Sequence, residues 1–357
     1  MKIQENVPLA PLTTLQVGGA ARYFAELRRE DDVREAVQFS KSRGLPLFVL
    51  GGGSNLVVAD SGWPGLVLRI AIGGIATPDA NDAAGNAVLF SVGAGVNWDD
   101  FVAQAVAQNC AGVECLSGIP GSVGGTPVQN VGAYGQEVAD TIESVRAFDL
   151  RAPGSEEDRI VVLPEPACGF RYRSSIFNST ERGRYIILRV NYRLKRGGAP
   201  SLKYADLQKH FADRKTPPSL AEVRSAVREI RRGKGMLIVP GDDDCRSAGS
   251  FFKNPVLSEA QFKDLAARAA ARGLDIPSFP ALDAQHKISA AWMVEHSGFS
   301  KGYAPGAAGI SHKHALALIN RGDAQASDIV GLKDEIQHGV QEAWGILLEP
   351  EPVFVGF

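Results

Sequence analysis

Little in this sequence points to a disulfide scaffold, a nucleic acid or a membrane. Only four of 357 residues are cysteine (Cys110, Cys115, Cys168 and Cys245), and no two stand in C-x-x-C spacing. A chain this long also needs no covalent staples, so reduced thiols in a cytoplasmic protein are expected. Lys and Arg total 38 against 40 Asp and Glu, a formal net charge of −2, which leaves no basic footprint for nucleic acid. The densest basic stretch, residues 228–234 (REIRRGK), reads as a solvated helix end. No run of 18 apolar residues occurs, and MKIQEN at the start lacks the apolar core of a signal peptide, so neither membrane spanning nor secretion is expected. Two nucleotide signatures are missing as well. No glycine run is followed by Lys-Ser or Lys-Thr, and no G-x-G-x-x-G opens a helix, which excludes the P-loop and the Rossmann fingerprint.

Glycine, by contrast, is abundant and clustered. Residues 117–134 (SGIPGSVGGTPVQNVGAY) hold Gly118, Gly121, Gly124, Gly125 and Gly132 together with Pro120 and Pro127. Such a run cannot be a regular helix or a central strand; it predicts tight turns that bring backbone N–H groups close to a bulky anion such as a cofactor pyrophosphate. A second cluster, Gly51-Gly52-Gly53-Ser54-Asn55, lies between the apolar runs 45–50 (LPLFVL) and 56–58 (LVV). Strand, glycines, strand is a phosphate loop of neither of the two commonest nucleotide folds.

The rest of the chain reads as α+β. Strands are expected at residues 21–27, 45–50 and 56–58 with a helix at 31–42, a unit ending near Ile70. Further strands are expected at 87–92, 144–150, 159–163 and 185–194, the last alternating Ile186, Leu188, Val190 and Tyr192, with a helix at 97–109 feeding the larger glycine loop. Pro217-Pro218 opens a helix to about Arg232 and marks a domain boundary. Beyond it come helices at 259–272, 289–296 and 326–344 and a strand at 315–319. A final strand, 346–355, is broken by Pro350 and Pro352 and suits an edge or a return to the second domain. The expected domains are 1–70, 71–217 (with 346–357 returning to it) and 218–345.

Two further stretches gather chemistry. GSFFKNP (residues 249–255) packs a hydroxyl, two aromatics, a cation and an amide together; on a strand, Ser250 and Phe252 would share a face. CGFRYRSSIF (residues 168–177) sets two arginines among aromatics, where a guanidinium pairs with a carboxylate or phosphate, or makes a structural ion pair. With LGGGSN (50–55), the 119–135 loop, YRSSIF (172–177), GSFFKNP and LEPE (348–351) in this order, the chain resembles the UDP-N-acetylenolpyruvoylglucosamine reductase (MurB) family over residues 13–355.

That resemblance implies the FAD-binding fold shared with vanillyl-alcohol oxidase, two α+β subdomains holding the flavin, and a third α+β domain for substrate. It implies NADPH-dependent reduction of an enolpyruvyl nucleotide sugar to UDP-N-acetylmuramate, in peptidoglycan precursor synthesis. By motif, Ser250 matches the proton donor, and Arg173 and Glu351 match the pair near the enolpyruvyl carboxylate. Pro352-Val353 follows Glu351 where the family pattern has Val-Arg, which leaves Glu349 as the other candidate. Tyr204, Lys234 and Asn254 match contacts to the substrate nucleotide, diphosphate and sugar. Residues 235–244 lengthen the segment between Lys234 and Ser250 beyond the family pattern. The cofactor set is Leu50, Gly51, Gly52, Gly53, Ser54, Asn55, Gly118, Pro120, Gly121, Gly124, Gly125, Val131 and Gly132. No histidine lies in either loop, so the flavin is expected to be non-covalent. A monomer with a small-molecule substrate, and no nucleic-acid or membrane partner, is expected. The competing classes are an oxidase of the same fold acting on a sugar or alcohol, and a nucleotide-sugar binding protein without activity.

Overall fold

The computed structural model describes residues 1–78, 86–152, 159–280 and 285–357. Contacts divide the chain into two units, 1–7, 21–53 and 64–233 in the first, 8–20, 54–63 and 234–357 in the second.

The first unit is built on two sheets. In the four-stranded sheet the order is Ile3–Pro8, Ala20–Leu27, Trp63–Ile70, Leu47–Leu50, the last two parallel. Helix Glu30–Ser42 buries Val33, Ala36 and Val37 in the same core. The larger sheet centres on Tyr185–Arg196. Its alternation puts Ile186, Leu188, Val190, Tyr192 and Leu194 inside, as a strand's period of two requires. Antiparallel neighbours Ile142–Asp149 and Ala87–Gly93 flank it, with Ile160–Pro164 and Ile75–Ala76 beyond them.

Helix Trp98–Ala107 begins because the Asn97 side chain accepts the N–H groups of Asp99 and Asp100, at 2.9 and 3.2 Å. It turns Trp98 and Phe101 into the core, where Phe101 packs on Tyr192 with ring centroids 4.9 Å apart. The Tyr192 hydroxyl is buried and shares a 2.7 Å hydrogen bond with Thr126 Oγ1, so the glycine-loop segment is tied directly to the sheet core. All four cysteines are buried and free; burial pushes the Cys168 thiol up to about 12 and Cys115 higher still, which makes both inert.

Two expectations are corrected here. Helix Leu220–Gly233 belongs to the first unit, not beyond a boundary at 217, because its apolar stripe Val223, Ala226 and Val227 is buried against Cys115, Tyr134 and Leu207. Nor is its basic end solvated throughout: Arg231 is only 9 % exposed, while Arg232 is exposed.

The second unit packs helices Glu259–Ala270, Ala290–Glu295 and Ala326–Trp344 around Leu265, Met293, Ile329, Ile336 and Trp344. Asp60 receives the Ala326 and Ser327 N–H groups, at 2.7 and 3.0 Å, and so fixes the start of the longest helix. The carboxyl-terminal strand is shorter than expected and goes elsewhere. Only Val353–Val355 forms, parallel to Leu56–Val58 of this same unit, since Pro350 and Pro352 have no N–H to give a ladder. The expected strand at 315–319 appears as Leu318–Asn320, paired with Ala308–Ile310.

Candidate functional site

In the first unit the two glycine loops abut. A Cβ added to Gly52 would stand 2.4 Å from the Cα of Gly121 and 2.8 Å from the Ser122 nitrogen, a separation that only glycine permits. Gly121 itself has φ +128, closed to other residues. Within the larger loop, the N–H groups of Val123, Gly124 and Gly125 are already bonded to the carbonyls of Val96, Ala94 and Ser122. Those of Gly52, Gly53, Gly121 and Ser122 have no acceptor among the described residues. Ser122 Oγ is buried and has no partner among them either. Leu50 points into the core at 2 % exposure, so it can offer only backbone.

The start of the larger loop is gripped on both sides of one residue. Asp99 accepts the Gly118 N–H at 2.7 Å, and Arg231 Nε donates to the Gly118 carbonyl at 3.1 Å. Arg224 and Arg228 both donate to the Asp99 carboxylate. Burial alone would raise its pKa, but Arg224, the Gly118 N–H and Arg228 hold it below the usual carboxylate range. Burial lowers the pKa of Arg231, against the opposing pull of Tyr134 and Asp99. The sequence reading singles out neither Asp99 nor Arg224, and it takes Arg228 and Arg231 only as part of a basic helix end. Their signal is the spacing 224, 228, 231, which sets three guanidiniums along one helix face.

Farther along, Val131 donates its N–H to Thr126 and accepts that of Val138, closing the turn that presents Gly132. The Gly132 carbonyl accepts from Arg173 at 2.9 Å. Arg171 and Ser174 exchange backbone hydrogen bonds around Tyr172 and Arg173, and Arg173 sits at φ +54, in the left-handed region. Such strain in a non-glycine residue costs about 1 kcal/mol or more and persists where surrounding contacts impose it. Here Asn130 Nδ2 donates to the Arg171 carbonyl, Asn178 Nδ2 to the Arg173 carbonyl, and Ser175 Oγ to the Val128 carbonyl. The YRSSIF stretch is thus clamped to the glycine loop. Tyr204 begins helix Ala205–His210, is 42 % exposed, and packs edge-on against Tyr134 at 5.2 Å.

In the second unit, residues 250–253 lie antiparallel to 349–351. Phe252 bridges Pro350, the Glu351 N–H donates to the Phe251 carbonyl at 2.8 Å, and the Lys253 N–H to the Glu349 carbonyl at 2.9 Å. This register sets Glu351 opposite Phe251, the residue that follows Ser250. The expected strand faces do not apply, since both Phe251 and Phe252 are buried, with rings 5.6 Å apart. Ser250 does not close the preceding turn: Ser247 Oγ accepts the Gly249 N–H there, at 3.3 Å. The two glutamates differ in kind. Glu349 is held by Lys253 Nζ at 2.5 Å with its side chain 70 % exposed, whereas Glu351 is half-buried.

Asn55, assigned to the cofactor, donates its side chain to the Glu351 carbonyl at 3.2 Å, and its own carbonyl accepts the Val353 N–H at 2.9 Å. Asn254 Oδ1 accepts the N–H of Ala290 at 2.9 Å and so starts helix Ala290–Glu295. Lys234 is half-buried and opens the 234–357 segment of the second unit. The lengthened segment after it is tied down by Asp242 to Lys313 Nζ at 2.5 Å and by Asp244 accepting the His312 N–H at 3.0 Å. Ser54 opens the short second-unit segment 54–63, one residue after Gly53 closes 21–53 of the first.

Residues 240–355 match the family model of the UDP-N-acetylenolpyruvoylglucosamine reductase C-terminal domain, and residues 21–154 match that of an FAD binding domain. The reductase of Thermobifida fusca is 44 % identical over 356 residues, covering 98 % of this chain and 97 % of that one. The chain belongs to the UDP-N-acetylenolpyruvoylglucosamine reductase family. A second member, from Streptomyces avermitilis, is 43 % identical over 360 residues, with 98 % and 94 % of the two chains covered. The crystal structure of the family member from Thermus caldophilus superposes with a TM-score of 0.64 at 27 % identity, over 99 % of each chain. Both glycine loops fall inside the FAD-binding match, while Ser250, Asn254 and Glu351 fall inside the C-terminal one. Arg173, Tyr204 and Lys234 lie between the two.

The residues present fit such a cofactor. Apposed glycines, N–H groups without protein acceptors and an orphaned buried hydroxyl at Ser122 together form a cradle for a pyrophosphate. Among the described residues no group of three or more His, Cys, Asp or Glu could hold a metal, and no helix is long and apolar enough to cross a membrane.

Proposed function

We propose that the protein reduces the enolpyruvyl group of UDP-N-acetylglucosamine enolpyruvate to the lactyl ether of UDP-N-acetylmuramate. FAD held by the two glycine loops would supply the hydride chemistry, with NADPH as the electron source and the enolpyruvyl double bond as the acceptor. The chain's residues do the rest. The cradle of Gly51, Gly52, Gly53, Ser54, Gly118, Pro120, Gly121, Gly124, Gly125, Val131 and Gly132 holds the cofactor. Arg173 stabilises the negative charge that develops on the substrate carboxylate as the hydride adds, an interaction stronger in the transition state than before it. Ser250 delivers the proton to the adjacent carbon, with Glu351 at its side. A serine is a weak acid, so its value lies in position against a pre-ordered substrate.

What supports Glu351 over Glu349 is its place as the second glutamate of the matched LEPE motif. Tyr204, Lys234 and Asn254 bind the nucleotide, diphosphate and sugar; Asn55 supports Glu351 from its carbonyl side. The observation that carries the reading is the pyrophosphate cradle of the first unit, in a chain of this family. The flavin is non-covalent, since no histidine stands in either loop. The enzyme works as a monomer in the cytoplasm, where it serves cell-wall synthesis and through it cell shape and division. The test is optical: purified protein is yellow, NADPH bleaches it, the enolpyruvyl substrate restores the colour, and acid precipitation leaves the flavin in the supernatant. A colourless protein, or bleached protein that substrate does not reoxidise, would sink the proposal.

A further inference from the structure

Asp99 stands on the first turn of helix Trp98–Ala107, where an acidic residue is expected for the helix dipole alone. Its contacts go beyond that. One carboxylate oxygen accepts the Gly118 N–H at 2.7 Å; Arg224 and Arg228 on helix Leu220–Gly233 donate to the same carboxylate. Arg231, one turn on, takes the Gly118 carbonyl at 3.1 Å. Gly118 has φ +71, and three residues later comes Gly121, against which Gly52 rests. A carboxylate with two cationic partners is held rigidly, and a rigid acceptor fixes the peptide bonded to it. The separation of 2.4 Å between a notional Gly52 Cβ and Gly121 Cα shows how little play the two loops allow.

The geometry points to Asp99 as a positioning residue for the cofactor: through the Gly118 peptide it sets where the Gly121 and Ser122 N–H groups lie, and Arg224 and Arg228 exist to hold it there. This rests on the assignment of the paired loops to the FAD pyrophosphate. Asp99 touches no cofactor atom itself; it acts through Gly118.

Two substitutions separate this role from a plain ion pair. Asp99→Asn keeps an oxygen for the Gly118 N–H but loses the charge. Asp99→Glu keeps the charge and its arginines but carries the oxygen one methylene farther, away from Gly118. The FAD dissociation constant, read from flavin fluorescence on dilution of the purified holoprotein, and the thermal midpoint are measured for both. Positioning predicts opposite rankings: FAD binding weakens about tenfold in Asp99→Glu and stays within about threefold of wild type in Asp99→Asn, while the thermal midpoint falls more in Asp99→Asn. If Asp99→Glu binds FAD as wild type does and Asp99→Asn does not, the charge pair alone matters and the inference is overturned. Gly52→Asp reports on the loop assignment separately. FAD lost from Gly52→Asp but kept by Asp99→Glu rejects the role of Asp99 alone; FAD kept by both rejects the loop assignment with it.

Discussion

The backbone N–H of Glu351 donates to the carbonyl of Phe251, 2.8 Å away, and this bond sets the last acidic residue of the chain opposite the residue that follows Ser250. Ninety-nine intervening residues contain both large helices of the second unit, yet the pairing takes one short antiparallel bridge. Glu349, two positions earlier, faces Lys253 instead. Replacing Glu351 by Gln is therefore expected to slow the reoxidation of reduced enzyme by substrate by about 10²-fold, the scale of one positioned acid–base group. Glu349→Gln loses an exposed ion pair, worth under about 1 kcal/mol, and leaves that rate near wild type. Stopped-flow traces of the two variants decide between them; the reverse pattern would transfer the role to Glu349.

Gly125 offers a clean test of the loop. A Cβ there meets no protein atom within 4 Å, in contrast to Gly52 and Gly124, whose Cβ atoms would strike Gly121 and Ala94. Gly125→Asp should fold with an unchanged thermal midpoint of the apoprotein, yet purify largely free of flavin because of bulk and phosphate repulsion. A fully yellow Gly125→Asp protein would remove Gly125 from the cofactor set.

Tyr204→Phe and Lys234→Ala are expected to raise KM for the nucleotide-sugar substrate more than they lower kcat, since both residues are assigned to parts of the substrate remote from the double bond. A lost charge-assisted contact amounts to roughly 1.5–3 kcal/mol, about ten- to a hundredfold in KM. Steady-state kinetics check this. An unchanged KM in Lys234→Ala would shift the diphosphate contact to another cation, Lys313 in the lengthened segment's network being the nearest in kind.

Both glycine loops, the central strand from Tyr185 and the helix from Asn97 were legible because glycine clusters and strict periodicities of 2 and 3.6 are local signals. What escaped is non-local. Residues 220–233 carry a helix pattern that says nothing of which unit receives Val223 and Val227, so a proline pair at 217–218 was a poor guide to the boundary. The destination of Val353–Val355 depended on Leu56–Val58, nearly 300 positions away. The arginine grip on Asp99 and the cap that Asn254 gives to Ala290 likewise need two distant segments at once. Motif matching assigned Asn55 and Asn254 to ligands, where the fold gives each a bond that orders the chain.

A structural prediction concerns acid. The Asp149 side chain is buried, and Arg184 donates to both its oxygens, at 2.7 to 3.0 Å, which holds the carboxyl below its usual range. A lowered folded-state pKa contributes stability that is complete above the unfolded value near 3.9 and is lost as pH falls through the folded value. Asp149→Asn should thus be less stable than wild type by about 1–3 kcal/mol in urea at pH 7 and at pH 5, with the gap closing below about pH 3.5. A gap that persists unchanged at pH 2.5 would show that Asp149 acts through shape, not charge.

The central claim is that Ser250 gives the proton while flavin reduction proceeds without it, and one stopped-flow experiment on Ser250→Ala addresses both halves. NADPH should bleach the variant's flavin at close to the wild-type rate, because that step needs only the nicotinamide against the flavin. Reoxidation of the bleached enzyme by the enolpyruvyl substrate should then slow by at least ~10²-fold. Reoxidation at the wild-type rate, or an equal loss in both steps, would contradict the assignment of Ser250 and with it the mechanism proposed for this chain.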